Sequence, residues 1–282
     1  MTPHLYMPHW AALGDDLYWY VMLATMMSVG VCEVFWQARS LRVPVGKRWA
    51  SHAFLYVIAI LIVNPLPALS GMFIARWASA TPWGFLNSDW LPFPIKVLSG
   101  LLFLDLSRYA FHFLAHRSPL LWRFHQVHHN DEDLDISTGL RFHPVEIVFV
   151  LLIQTAVIAW SAMPPFCVLL FGVATAIQSL LAHANLNQPA WLDRTMGKFW
   201  ITPNFHHIHH SMDEADHGAN LGVIFPWWDH CFRTFKAEPT AGWAGMQVGL
   251  GKEHGRTESN PMRLLLLPFE HPTSPESSTS HT

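Results

Sequence analysis

The sequence predicts an all-α fold: an integral membrane helical bundle with a cytoplasmic, histidine-rich helical cap that holds a two-metal site. Three observations predict it. Hydrophobic residues make up 51% of the 282-residue chain and charged residues only 13%, the balance of a chain solvated by lipid rather than by water. Apolar runs long enough to cross a hydrocarbon core, which takes roughly 20 residues, recur along the chain. Histidine accounts for 19 residues, and the surplus is concentrated in HFLAH at 112–116, HQVHH at 125–129 and HHIHH at 206–210. Neutral imidazole is the commonest protein ligand for first-row transition metals. Convergence of so many rings points to two metal ions.

Taken in order, the apolar runs lie near Leu17 to Trp36, Phe54 to Ile74, Ile95 to Phe111, Val145 to Met163 and Phe166 to Leu181. Asn64-Pro65-Leu66-Pro67 interrupts the second, so it kinks or turns back without crossing. Asp15 and Asp16 precede the first run, whereas Arg39, Arg42, Lys47 and Arg48 follow it. Basic residues near segment ends favour the cytoplasm, which places the N-terminus outside and the basic loop inside. An out-and-back pair then returns the chain to the cytoplasm with Arg108, Arg117, Arg123 and the first histidine clusters. A second hairpin around Pro164-Pro165 returns His183 and HHIHH to the same side, where all the clusters can meet. No basic region precedes the first run, so it is expected to be retained rather than cleaved. The stretch Pro268 to Thr282, rich in Ser, Thr and Pro, is expected to be disordered. The chain thus divides into residues 1–94 with N-terminal spans and a basic loop, a catalytic region over 95–236, and a tail over 237–282.

Within each cluster, helical spacing gives the chemistry. His112 and His116 stand four apart, so on a helix their rings share a face, about 5–6 Å apart. His125, His128 and His129 repeat that logic at i, i+3, i+4, as do His206, His209 and His210. Other chemistries fit poorly. No cluster contains H-E-x-x-H, whose Glu serves zinc hydrolases as base. Cys32, Cys167 and Cys231 form no C-x-x-C, so neither a disulfide framework nor a thiolate zinc site is indicated. A net charge of -3 without a lysine-rich run argues against nucleic acid. Transporters place polar groups near the bilayer midplane in broken helices, whereas these clusters lie at segment ends. A metallohydrolase or a metal or lipid transporter is therefore the alternative to an oxygen-using enzyme. No G-x-G-x-x-G occurs, and no haem, flavin or nicotinamide site is recognisable.

The flanking residues carry a resemblance. Asp105-Leu-Ser-Arg-Tyr109-Ala-Phe-His112, His116-Arg117, Leu121-Trp122-Arg123-Phe124-His125, His128-His129 and Arg141-Phe-His143-Pro144-x-Glu146 resemble the fatty acid hydroxylase and sterol desaturase superfamily. His183-Ala-Asn-x-Asn187, Pro203-x-x-His206-x-x-His209-His210, Asp216 to Gly222 and Trp228-Asp229-x-x-Phe232 continue it, over about Leu98 to Phe235. The resemblance implies a membrane-bound non-haem enzyme with two iron ions that hydroxylates or desaturates an aliphatic lipid using O2. Electrons would come from an external donor of the cytochrome b5, ferredoxin or reductase type. It implies as metal ligands His112, His116, His125, His128, His129, His206, His209 and His210, with His183 as a further one. Some relatives carry a second histidine where this chain has Asn187, which could bind through its amide oxygen or a water, or could cap the helix.

Around these ligands, acidic residues could take the second imidazole N–H and fix its tautomer. The candidates are Asp105, Asp131, Asp135, Glu146, Asp216 and Asp229. Asp105 lies nearly two turns before His112 in an apolar stretch, where a carboxylate needs a partner; Arg108, a ligand histidine or water at the helix end could supply it. His143 either faces substrate or supports the ligands, or bonds the backbone at the start of the next helix, where Pro144 suits the first position. Arg117, Arg123 and Arg141 either engage lipid phosphate or anchor the cytoplasmic face. His207 is expected to point away from its neighbours, and His4, His9, His52, His217, His230, His254, His271 and His281 lack a chelating context, although His217 could approach the site. Trp191, Trp200, Trp227 and Trp228 suit either an interfacial belt or core packing.

Overall fold

Proline and small capping residues start most of the helices. The computed structural model describes residues 9–250 and 259–270; His4, His254, His271, His281 and the part of the expected tail beyond Glu270 lie outside them. The order is α1 (His9–Phe35), α2 (Val45–Val63), α3 (Gly71–Ser79), α4 (Phe93–Ala115), α5 (Pro119–His129), α6 (Pro144–Ser161), α7 (Pro165–His183), α8 (Ala190–Thr195), α9 (Pro203–His209), α10 (Glu214–His217), α11 (Trp227–Phe232), α12 (Gly242–Gly245) and α13 (Pro261–Leu266). Ser118 and Thr202 accept the backbone N–H groups of Leu121 and Phe205, with Pro119 and Pro203 opening α5 and α9. Proline suits that first turn because its missing N–H would have no helical partner there. Among the described residues no strand forms, and the β pairing is limited to two isolated bridges, Gln37 with Leu186 and Ser211 with Val248.

Five helices are long and apolar enough to cross a membrane: Asp16–Phe35 of α1, then α2, α4, α6 and α7. Four expected runs coincide with these helices. The second does not: α2 begins well before Phe54 and stops at Asn64, and the chain bends through Pro65-Leu66-Pro67 into the short α3. Pro65 and Pro67 lack the N–H a continuing helix needs. The early start escapes a hydropathy reading because Arg48, Ser51 and His52 are buried in α2, where protein partners rather than lipid satisfy them.

Those partners tie α2 to the loop after α5. Arg48 donates through Nε and Nη2 to Asp131, at 3.1 and 2.8 Å, through Nη1 to Asp135 and through Nη2 to the Asp133 carbonyl. Arg141 donates to the Val127 carbonyl at 2.8 Å and meets His52 Nε2 at 3.0 Å; the other His52 nitrogen meets Ser137 Oγ at 2.8 Å. Arg141 and His52 are fully buried, so Arg141 neither engages lipid phosphate nor anchors the cytoplasmic face. Burial alone would raise the Asp131 carboxyl, but the Arg141 and Arg48 guanidiniums hold it well below the usual carboxylate range.

Helices α3 and α4 each pack against both α6 and α7. The short turn Ala162-Met163-Pro164 joins α6 to α7, with Ala162 in the left-handed region at φ 50°. A cavity of about 360 Å³ opens between α1, α2, α4, α6 and α7, walled by apolar side chains such as Met22, Leu104, Val150, Leu151 and Phe171. The Ile136–Leu140 turn lies flush on α7, where a Cβ at Gly139 would stand 2.5 Å from the Ser179 carbonyl oxygen.

Candidate metal centre

The histidines are delivered by the ends of α4, α5, α7 and α9. His112 lies in the last turn of α4 and His116 caps it; His125, His128 and His129 line one side of α5; His183 ends α7; His206 and His209 belong to α9, with His210 as its cap. The rings assemble into two groups. His112, His116, His125, His129 and His209 form one, and His128, His183, His206 and His210 the other. Within each group one ligand atom per residue lies within 4.8 Å of all the others. A metal–imidazole bond of about 2.1 Å puts opposite ligands of one ion about 4.2 Å apart and adjacent ones about 3 Å, so each group comes close to a single coordination sphere and would tighten slightly around an ion. The groups meet where the His129 and His210 rings stack at 4.4 Å.

Proton placement gives a sharper test. His128 Nδ1 donates to the Arg141 carbonyl at 3.2 Å and His183 Nδ1 to the Ser179 carbonyl at 2.6 Å. A carbonyl only accepts, so each neutral ring carries its proton on Nδ1 and a lone pair on Nε2. Those two Nε2 atoms face each other at 3.0 Å. Two lone pairs at that distance repel, and a shared cation resolves the conflict. His112 Nδ1 and His209 Nδ1 donate likewise to the Leu221 and Ala219 carbonyls, at 2.8 and 3.0 Å, leaving both Nε2 atoms buried without a protein partner. His125 Nδ1 donates to Glu146 Oε1 at 2.7 Å, and its Nε2 lies 3.1 Å from His116 Nε2 and 3.2 Å from His129 Nε2. Burial, reinforced by the neighbouring imidazoles, holds His116, His128, His129, His206, His209 and His210 well below the ordinary imidazole range. Neutral rings with exposed lone pairs are what a first-row transition metal binds.

Of the carboxylates singled out from sequence, Glu146 is the one that meets a histidine of the two groups. Asp105 instead accepts from the backbone N–H groups of Ile224 and Phe225, at 3.0 and 3.2 Å, and from Trp228 Nε1 at 2.8 Å. Asp229 accepts from the N–H groups of Leu221 and Gly222, at 2.7 and 2.9 Å. Together they hold the segment whose Leu221 carbonyl orients His112. Asp216 bonds Lys236 and Thr240, and Asp131 and Asp135 bond Arg48. His143 caps α6, its Nδ1 accepting the Val145 N–H at 3.1 Å while its Nε2 donates to the Leu265 carbonyl at 3.3 Å. Asn187 is exposed, and its backbone N–H bonds the Trp36 carbonyl at 2.8 Å. His207 is buried but belongs to neither group, and the His217 ring approaches His129 at 6.0 Å. The carbonyls of Arg141, Ser179, Ala219 and Leu221 orient imidazoles yet carry no sequence signal, since every residue has one.

A small cavity of about 70 Å³ reaches the groups from the bundle side, lined by His112, His125, His128, His183 and His206 and walled by Phe111, Phe142, Ile147, Val150 and Val223. The Phe142 ring stacks on His128 at 4.3 Å.

Comparison with known proteins agrees with this geometry. Residues 97–234 match the model of the fatty acid hydroxylase family. The chain is 31% identical over 157 residues to ornithine lipid hydroxylase of Rhizobium tropici, covering 55% of this chain and 46% of the relative. It is 29% identical over 164 residues to alkylglycerol monooxygenase of Homo sapiens, 56% of this chain and 32% of that one. It is 27% identical over 146 residues to cholesterol 25-hydroxylase of Rattus norvegicus, 51% of this chain and 47% of that one. The matches span less than half the length of these relatives. No solved structure matches the chain. The matched segment contains both histidine groups, and over it the chain is similar to the fatty acid hydroxylase family.

Proposed function

We propose that this protein is a membrane-bound, O2-dependent oxidoreductase that hydroxylates an aliphatic lipid at a pair of iron ions held by the two histidine groups. The observation that carries this reading is the pair of converging lone-pair groups opening on an apolar cavity. His112, His116, His125, His129 and His209 hold one ion, and His128, His183, His206 and His210 the other. When bound, such an iron pair supplies the oxygen activation that breaking an unactivated C–H bond requires. Glu146 takes the His125 Nδ1–H, which fixes that tautomer and makes Nε2 a stronger donor. The four orienting carbonyls do the same for their rings at lower charge. Phe111, Phe142, Ile147, Val150 and Val223 exclude water from the reacting carbon and leave lipid tails as the natural occupants.

Three relatives whose names describe hydroxylation of an ornithine lipid, monooxygenation of an alkylglycerol and hydroxylation of cholesterol support lipid as the substrate and hydroxylation as the reaction. Electrons come from an external donor of the cytochrome b5, ferredoxin or reductase type. The histidine groups lie on the cytoplasmic side, in keeping with Arg39 and Arg42 on the α1–α2 loop and Lys47 in the first turn of α2.

The test is metal content per chain in protein purified gently without added metal, read with Mössbauer spectra from iron-57-labelled cells. About two irons per chain with a high-spin non-haem signal, and lipid hydroxylation that requires O2 and a reductase system, are expected. Stoichiometric zinc in fresh membranes, with no iron-dependent oxidation after reconstitution, would overturn the assignment.

A further inference from the structure

Arg108 stands where the two cavities meet. It lies on α4 four residues before His112, one turn and roughly 6 Å along the axis, and it lines both the cavity at the imidazoles and the larger one between the spanning helices. Phe142, Ile147, Val150 and Ser179 are also common to both walls, so the two spaces adjoin at this point.

Among the described residues, the Arg108 guanidinium makes no hydrogen bond and no ion pair. The contrast with Arg48 is direct, since that side chain is saturated by Asp131, Asp133, Asp135 and Thr138. Nor does another charged side chain line the larger cavity. Glu146, which lines the smaller one with its Oε1 engaged by His125, and Asp105 both attract Arg108 electrostatically, but neither comes close enough to form an ion pair with it. A cation on a spanning helix is costly unless an anion meets it. Its planar fork of N–H donors matches a carboxylate or a phosphate.

We infer that Arg108 is the headgroup anchor of the lipid substrate: it binds the carboxylate or phosphate of an anionic amphiphile whose tail fills the larger apolar cavity. Calling that ligand the substrate rests on the lipid-oxidising reading above, but binding is measurable without turnover.

The full chain in non-ionic detergent is titrated with radiolabelled palmitate, with hexadecyl phosphate and uncharged hexadecanol as competitors. Wild type is expected to bind at least one of the two anionic amphiphiles about tenfold or more tightly than hexadecanol, as a charge-assisted contact should give. Preference for palmitate alone assigns a fatty carboxylate, and preference for hexadecyl phosphate alone assigns a lipid phosphate. Arg108→Gln should abolish the preference and leave hexadecanol affinity within about twofold, while Arg108→Lys should restore part of it. Equal binding of all three by wild type would mean that Arg108 is only a distant counter-charge to Glu146, and would overturn the anchor without recourse to any variant. A preference that survives in Arg108→Gln would overturn it too. If the protein proves free of iron yet discriminates for anions through Arg108, the oxygenase reading fails and the anchor stands.

Discussion

At the level of single residues, neighbouring histidines of the same cluster have opposite duties. His206, His209 and His210 turn ring nitrogens into the two groups, whereas His207 is buried against the backbone of His183 and Ala184. Burial, with Arg39 and His183 adding to it, pushes the His207 imidazole down to about 3. The two kinds of residue should separate in a simple series. His128→Ala and His209→Ala are expected to lose metal, because each removes a lone pair that no other residue replaces. His207→Ala should keep its metal but lose about 1–3 kcal/mol of stability, the scale of a lost buried hydrogen-bonding group. Elemental analysis paired with thermal melts reads both quantities. Metal loss in His207→Ala with the melting temperature unchanged would contradict the division into ligands and support.

Among the elements, the decisive contact is between the Ile136–Leu140 turn and the end of α7. The Ser179 carbonyl receives the His183 Nδ1–H at 2.6 Å and also faces Gly139, with no room for a side chain between them. Ser179 Oγ donates to the Gly139 carbonyl at 3.0 Å, locking the two segments together. Gly139→Ala must therefore push the last turn of α7 away and carry the His183 ring with it. Overpacking of this kind costs about 1–3 kcal/mol. A lower melting temperature accompanied by weakened metal retention is the expected result. Unchanged metal retention would show that α7 absorbs the methyl group without moving His183.

For the molecule as a whole, the Arg48–Asp131–Asp135 network binds the α1–α2 side of the bundle to the loop that follows the second histidine cluster. Removing one partner of a buried ion pair leaves the other charge stranded, which costs about 3–5 kcal/mol. Asp131→Asn should therefore melt well below wild type near neutral pH. The folded Asp131 carboxyl titrates below its unfolded value, so its contribution is complete above about 3.9 and is lost only as the pH falls below that towards the folded value. The difference in melting temperature should be constant from pH 8 to pH 5 and narrow on further acidification. A gap that closes already between pH 7 and pH 6 would assign the effect to a histidine instead.

Much of this protein was legible without coordinates, for physical reasons that are local. Helical periodicity places His125, His128 and His129 on one face whatever surrounds them, and long apolar runs declare spanning helices because lipid admits no unsatisfied backbone. Eight of the nine histidines that the structure gathers were identifiable from spacing, and His183 from the family resemblance. What only the tertiary structure decided is how those rings divide, because His128 and His129 are adjacent in sequence yet face different groups. It also decided the partners of the charged residues. Asp105, Asp131 and Arg141 look alike in sequence, as polar residues near a cluster, but long-range contacts assign them to backbone N–H groups, to Arg48 and to His52. The start of α2 was hidden for the same reason, since Arg48 and His52 read as loop residues until the acceptors that bury them are in place. Local pattern reports which chemistry the chain carries, and folding determines which groups meet to perform it.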